Sequence, residues 1–318
     1  MKAAVITGAG CPPEYRECES PAASDGNLLI KVSAAALSPI ARSRASGTHY
    51  SSKGDAALVA GVDGVGTLPG GERVYFVFPE APYGSMAEFA PVKPSQCIPL
   101  PPDLDEAAAA AMAIPGMSSW AALKERAFLK PGETVLVNGA TGTSGSLAVQ
   151  IARHLGAGKV IATGRNAEAL DSLPDLGADA VIPLSGNAGE LERRLGAEFG
   201  EGIDVVLDYL WGESAEKILV AGARNGKDGV PIRFIQIGSA GGADIRLPGA
   251  ALRSSALELR GSGIGSIPFP RLFASLRDVL AAAPSAGFKV RTRSVPLSDV
   301  GAEWNADGAA PRIVFRMG

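Results

Sequence analysis

Residues 134–165 read TVLVNGATGTSGSLAVQIARHLGAGKVIATGR, and this stretch decides the fold. The short apolar run 134–138 suits a strand buried in a parallel sheet. A glycine turn follows at once: Gly139, Ala140, Thr141, Gly142, Thr143, Ser144 and Gly145. Leu147, Ala148, Ile151, Ala152 and Leu155 then recur at helical spacing, with Gln150, Arg153 and His154 on the other face. Gly156 is placed to stop the helix, and 159–163 reads as a second strand. Strand, glycine turn, helix, strand is the context that turns a glycine pattern into a dinucleotide fingerprint. Small residues let backbone N–H groups approach a pyrophosphate, and the helix N-terminus adds its positive dipole end. The plainer alternative is a glycine turn that only packs a helix close to a sheet.

The second strand ends in Gly164, Arg165 and Asn166, with no carboxylate before Glu168. A carboxylate there would hold the ribose 2′-hydroxyl of NAD, whereas an arginine fork matches the 2′-phosphate of NADP. The expected cofactor is therefore NADPH. Asn166 also suits the N-cap of the next helix, and a solvated surface arginine is the competing reading of Arg165.

Working outward, the chain from 134 to about 260 alternates strands and helices. Helices are expected over 167–176, 189–199 and 213–221, and strands over 180–182, 203–208 and 232–237. This alternation implies a doubly wound parallel sheet of the Rossmann type, an α/β fold. Ligands bind outside the carboxyl ends of such strands. Asp208, Tyr209 and the loop opening at Ile237, Gly238 and Ser239 are thus candidates for the nicotinamide side, or else ordinary strand-to-helix turns.

Residues 1–115 are different: strands over 2–7, 28–32 and 73–78 lie among Gly/Pro/Ser-rich turns, and helical periodicity is scarce. An alanine-rich helix is expected over 103–113, with Pro115-Gly116 separating it from another over 117–129. After a glycine-rich connection at 261–265 come an amphipathic helix over 269–280 and closing strands over 290–295 and 312–316. The resulting division is 1–115 as a β-rich domain, 116–261 as the nucleotide-binding domain and 262–318 as a return to the first.

The 318 residues carry a formal net charge of −3, which leaves no electrostatic footprint for nucleic acid or an anionic membrane. No apolar run reaches the ~18 residues of a membrane span, and the first residues lack a signal-peptide layout, so a cytoplasmic protein is expected. Cys11, Cys18 and Cys97 match neither a disulfide framework nor a four-ligand zinc site. With two histidines in the chain, His49 and His154, no metal site is expected.

Six segments in this order and spacing carry a family resemblance: Ala36-Leu-Ser-Pro-Ile-Ala-Arg42, Gly61-Val-Asp-Gly-Val-Gly66, Tyr83-Gly-Ser-Met-Ala-Glu-Phe89, Leu129-Lys-Pro-Gly-Glu-Thr-Val135, the glycine turn and Gly177-Ala-Asp179. Together they resemble the medium-chain dehydrogenase/reductase superfamily, in its zinc-independent quinone oxidoreductase-like branch. The resemblance implies a GroES-like β domain beside the Rossmann domain, an active site in the cleft between them, homodimers, and hydride transfer from NADPH to quinones, enones or enoyl thioesters. Zinc-dependent members carry Gly-His-Glu where this chain has Gly61-Val62-Asp63, which argues against zinc chemistry. Quinone reductases often carry Asn-Pro where this chain has Ser38-Pro39.

Without a metal, reduction needs a positioned hydride donor, stabilisation of developing oxyanion charge, and a proton source. Tyr50 resembles in position a tyrosine that some enoyl reductases of the superfamily place near the substrate, and Ser38 keeps a polar handle. These two are the catalytic candidates, with His49 as a possible relay. A wall-lining role is the alternative for Tyr50; Tyr75, Tyr83, Met117 and Trp120 are read as cleft walls or core. Two competing functions stay open: a carbonyl or alcohol oxidoreductase on the same scaffold, and an NADPH-binding sensor or structural protein with little turnover. An edge strand at 257–261 is the candidate for pairing with a second copy.

Overall fold

The computed structural model describes residues 1–8, 10–22, 26–48, 58–306 and 311–318. The chain divides into two compact units, Met1–Ile114 with Leu280–Gly318, and Pro115–Val279. Residues 262–279 thus count with the second unit.

The strands of the first unit are β1 (Lys2–Val5), β2 (Glu14–Glu17), β3 (Leu28–Ala36), β4 (Asp63–Thr67), β5 (Arg73–Val77), β6 (Phe89–Val92) and β7 (Cys97–Pro99), with β14 (Thr292–Pro296) and β15 (Arg312–Arg316) from the C-terminal return. Its larger sheet runs β14-β15-β3-β4-β5-β7, antiparallel except for the β14–β15 pair. β3 organises it: its first half pairs with β6 and its end with β15. Alternation along β3 sends Ile30 and Val32 into a core with Val74, Phe76, Ala90 and Val92. A register shift between Val32 and Ala34 then re-aims its alanine-rich end toward Trp304, Phe315 and Leu37. Helix α1 (Pro39–Ala45) follows directly, with proline at its first position.

The second unit carries β8 (Thr134–Asn138), β9 (Lys159–Gly164), β10 (Ala180–Pro183), β11 (Val205–Asp208), β12 (Ile232–Gln236) and β13 (Leu257–Gly261). They form a six-stranded parallel sheet in the order β10-β9-β8-β11-β12-β13. The strand order reverses between β8 and β11, which is where a doubly wound sheet opens a ligand crevice. Helices α3 (Thr143–His154), α4 (Ala167–Asp171), α5 (Ala188–Glu201) and α6 (Gly212–Asn225) connect these strands. One face of the sheet packs Leu136, Ile161, Val206 and Phe234 against Leu195, Phe199, Ile218 and Leu219 of α5 and α6. The Rossmann-type sheet and the separate antiparallel β domain expected from the sequence are both present. Among the described residues, no helix is long and apolar enough to cross a membrane.

Two local expectations need correction. Pro115 does not end its helix: α2 runs through it from Glu106 to Ala121 and continues as one π-helical segment, Ala122–Ala127. Burial on both sides of the proline, at Ala109–Ala113 and Ala121–Leu123, outweighs the one backbone bond it removes. The adjacent Gly116 lets α2 approach Val279, where a Cβ would stand 2.7 Å from its Cγ1. The helix expected over 167–176 stops at Asp171 and resumes as a single 3-10 turn at Pro174, capped by Gly177 at φ 104°.

Candidate cofactor cradle and catalytic residues

The three glycines of the turn after β8 do three different things. Gly139 takes φ +90°, and its N–H and that of Ala140 both donate to the Thr163 carbonyl, at 3.2 and 2.7 Å. Gly145 brings α3 against the turn: a Cβ there would lie 2.2 Å from the Gly139 oxygen. Gly142, the N-cap of α3, is open, since a Cβ would meet nothing nearer than 3.9 Å. No side chain caps α3, and Thr141, Gly142, Thr143 and Ser144 are half-exposed. The first-turn N–H groups therefore lack the side-chain acceptor that helix ends ordinarily recruit. The positive end of a 12-residue helix stands beside a position with no side chain. This cradle fits a pyrophosphate.

At the end of β9, Gly164 is enforced by Thr141, whose Cγ2 would stand 2.4 Å from an added Cβ. Arg165 is exposed, and among the described residues its guanidinium joins no ion pair. Asn166 caps α4, its Oδ1 accepting from the Ala169 N–H at 3.0 Å.

The turn after β11 is held from within. Asn138 Nδ2 donates to Asp208 Oδ1 at 2.7 Å, and the Leu210 and Trp211 N–H groups donate to the same carboxylate at 3.1 Å. Asn138 Nδ2 also donates to Ser214 Oγ at 3.0 Å, while Asn138 Oδ1 accepts from Thr163 Oγ1 at 2.7 Å. Asn138, Thr163 and Asp208 are all fully buried. Burial pushes the Asp208 carboxyl upward against the opposing bonds from Trp211, Asn138 and Leu210. Trp211 sits at φ 58°, ψ −158°, a backbone region that costs a non-glycine residue about 1–3 kcal/mol. Beside it, the Tyr209 hydroxyl lies 2.8 Å from Ser119 Oγ, and burial pushes this phenol up to about 12. The N–H groups of Ile237 and Gly238 donate to the Asp208 carbonyl at 2.8 and 3.1 Å, and Ser239 is exposed. Asp208 thus directs its carboxylate into the protein, and the surface at this end of the sheet belongs to the backbone of 209–211 and 237–239.

Asn138, Thr163, Ser214 and Ser119 belong to no motif legible in the sequence. The available signal was Asn138 itself, a polar residue closing an otherwise apolar strand.

In the first unit Ser38 is buried at the N-cap of α1, where its Oγ accepts from the Ala41 N–H at 3.1 Å. Tyr50 and His49 lie outside the described residues. Tyr75 and Trp120 are buried, and Tyr83 and Met117 are half-buried. Tyr75 OH donates to Asp63 Oδ2 at 2.9 Å, and Asp63 Oδ1 is buried without a hydrogen-bond partner among the described residues. Burial raises Asp63 to about 7, opposed by the Tyr75 bond and by the charge of Arg312. Among the described residues, no group of three or more His, Cys, Asp and Glu side chains could hold a metal ion.

Comparison with known proteins adds a family and three relatives to this geometry. The sequence family described as zinc-binding dehydrogenase matches residues 145–280. "Probable NADPH-dependent quinone reductase tdiC" of Emericella nidulans is 30% identical, covering 99% of this chain and 99% of that protein. The 2-methylene-furan-3-one reductase of Solanum lycopersicum is 31% identical over 64% of this chain and 54% of its own. The quinone oxidoreductase of Thermus thermophilus, whose structures include a complex with NADPH, superimposes with a TM-score of 0.83 at 27% identity, covering 99% of this chain and 100% of that one.

Proposed function

Because this chain belongs to the quinone oxidoreductase-like branch of the medium-chain dehydrogenase/reductase superfamily, we propose that it is an NADPH-dependent, zinc-independent reductase of quinones or activated alkenes. The observation that carries the reading is the uncapped N-terminus of α3 beside the open Gly142, with the exposed Arg165, in no ion pair among the described residues, at the end of the neighbouring strand. NADPH, when bound, supplies the hydride.

The chain's own residues bind and orient. N–H groups of Thr143, Ser144 and Gly145 face the pyrophosphate, and Arg165 pairs with the 2′-phosphate. Gly164 and Asn166 shape the adenosine side, and Tyr209, Ile237, Gly238 and Ser239 border the nicotinamide side. Negative charge that develops on the substrate oxygen needs hydrogen-bond donors. Ser38 is one: its oxygen already accepts from Ala41, which leaves its O–H proton to be donated. Tyr50 is the second and supplies the proton; its Phe variant should lose turnover and keep cofactor affinity.

Zinc independence is supported by Val62, which occupies the place of the histidine in zinc-dependent members and has no metal-binding atom. The alkene arm draws support from the tomato relative, whose named substrate is an alkene conjugated to a ketone. A homodimer through β13 fits the place of that strand at the edge of the parallel sheet, with Leu259 39% exposed. A monomeric mass in solution at micromolar concentration contradicts that arrangement.

The function is tested by steady-state consumption of NADPH with a small quinone, an α,β-unsaturated ketone and a simple aldehyde in parallel. Turnover with quinone or enone after removal of metal by a chelator is the expected result. Turnover with the aldehyde alone replaces this reading with carbonyl reduction. NADPH binding without turnover on any of the three turns it toward a binding protein.

A further inference from the structure

The point where the parallel sheet reverses its strand order carries an unusual load of buried polar groups. Asn138 closes β8 and Asp208 closes β11, and the two are register partners across the reversal. Thr163, one residue before the end of β9, is the register partner of Asn138 on the other side. Their side chains form one connected line: the Thr163 hydroxyl donates to the Asn138 carbonyl at 2.7 Å, and the Asn138 amide donates to Asp208 at 2.7 Å and to Ser214 at 3.0 Å. Asp208 in turn accepts the backbone N–H groups of Leu210 and Trp211.

Each member sits next to a segment that faces the cofactor in the proposed function. Asn138 precedes Gly139, Thr163 precedes Gly164 and Arg165, and Asp208 precedes Tyr209. Asn138 is the sole member that touches both other strands through its side chain, and it uses both ends of its amide to do so. The line also accounts for Trp211. That residue is held at positive φ, and its N–H is fixed by both oxygens of Asp208. A buried carboxylate keeps such a grip only while its remaining partner stays in place.

We propose that Asn138 is a positioning residue for NADPH, a strut that fixes the glycine turn, the Arg165 segment and the Tyr209–Trp211 turn relative to one another before the cofactor arrives. This rests on the NADPH reading above. Preorganisation of this kind appears as cofactor affinity, because the protein no longer orders three loops on binding.

The test is a titration of the full-length protein with NADPH, followed by nicotinamide fluorescence, alongside melting of the ligand-free protein. Asn138→Asp keeps the acceptor for Thr163 and sets a carboxylate against Asp208; it should weaken NADPH by about tenfold or more. Asn138→Asp with Asp208→Asn restores an amide facing a carboxylate and should recover most of that loss. Thr163→Val, isosteric and less disruptive, should weaken NADPH by several-fold, and it serves if the Asn138 variant does not fold. A purely structural role lowers the melting temperature and leaves affinity unchanged. Affinity within about twofold of wild type in folded Asn138→Asp, or in Thr163→Val where the former does not fold, overturns the strut. So does a double variant as weak as the single one. A wild-type protein that does not bind NADPH overturns the function itself, so the two failures are distinguishable.

Discussion

The two units bury polar groups in opposite ways. In the parallel sheet Asn138, Thr163 and Asp208 are fully buried and every one is hydrogen-bonded. In the antiparallel unit Asp63 Oδ1, Ser85 Oγ, and the Nε atoms of Arg42 and Arg312 are buried without a hydrogen-bond partner among the described residues. Native interiors satisfy nearly all such groups, from protein or from ordered water, and of these four it is Asp63 whose ionisation burial moves into the ordinary pH range. A closed network holds loops still for a ligand, whereas a buried carboxyl such as Asp63 makes a domain's stability respond to pH.

Asp63 gives the largest expected effect. Its folded-state value of about 7 lies above the ~3.9 of an unfolded aspartate, so between these values the folded chain holds a proton that the unfolded chain releases. Stability should therefore fall as pH rises from about 4 to about 7, by on the order of 4 kcal/mol at most. Asp63→Asn still accepts from Tyr75 and should flatten that slope in chemical denaturation at a series of pH values. An unchanged slope breaks the contrast, because the pH dependence would then come from another group.

Gly145→Ala comes next. Its Cβ would stand 2.2 Å from a backbone oxygen, so the turn and α3 must separate, which should cost about 1–3 kcal/mol of stability and the tight NADPH site with it. Gly142→Ala, in open space, is its control: melting should change far less while NADPH is still repelled by the methyl group. Equal melting loss in the two variants contradicts the distinct roles given to these glycines.

Arg165→Ala should remove about 1.5–3 kcal/mol of NADPH affinity, roughly 10- to 150-fold, and leave NADH unaffected. Equal losses for both cofactors assign the arginine to a contact other than the 2′-phosphate. The smallest effect is Tyr209→Phe, which removes the bond to Ser119 and should lower stability by about 1 kcal/mol, measured by denaturant midpoint.

The same contrast explains what the sequence disclosed. Short-range patterns write the parallel sheet: apolar runs and glycines at the turns give β8 and β9 nearly to the residue, and helical periodicity gives α3, which starts four residues earlier than its apolar repeat, inside the glycine turn. The antiparallel unit depends on long-range pairing. β4 and β6 are not legible as strands, since DGVGT and FAPV have no strand-like alternation; β4 is set by β3 and β5 on either side, and β6 by its pairing with β3. Pro115 failed as a stop signal because burial outweighs one missing hydrogen bond. In the cofactor cradle the glycines and Arg165 were legible from spacing. The Asn138 line was not, because its three side chains come from strands that meet only in the folded sheet. The Asp63–Tyr75 pair was hidden for the same reason, joining two strands across a ladder.

The measurement that bears most directly on the account is the affinity of the wild-type protein for NADPH and for NADH, titrated side by side at one salt concentration. The account predicts saturable binding of NADPH that is about tenfold or more tighter than NADH, the margin one arginine–phosphate contact supplies. Equal affinities, or no binding of either, would contradict it.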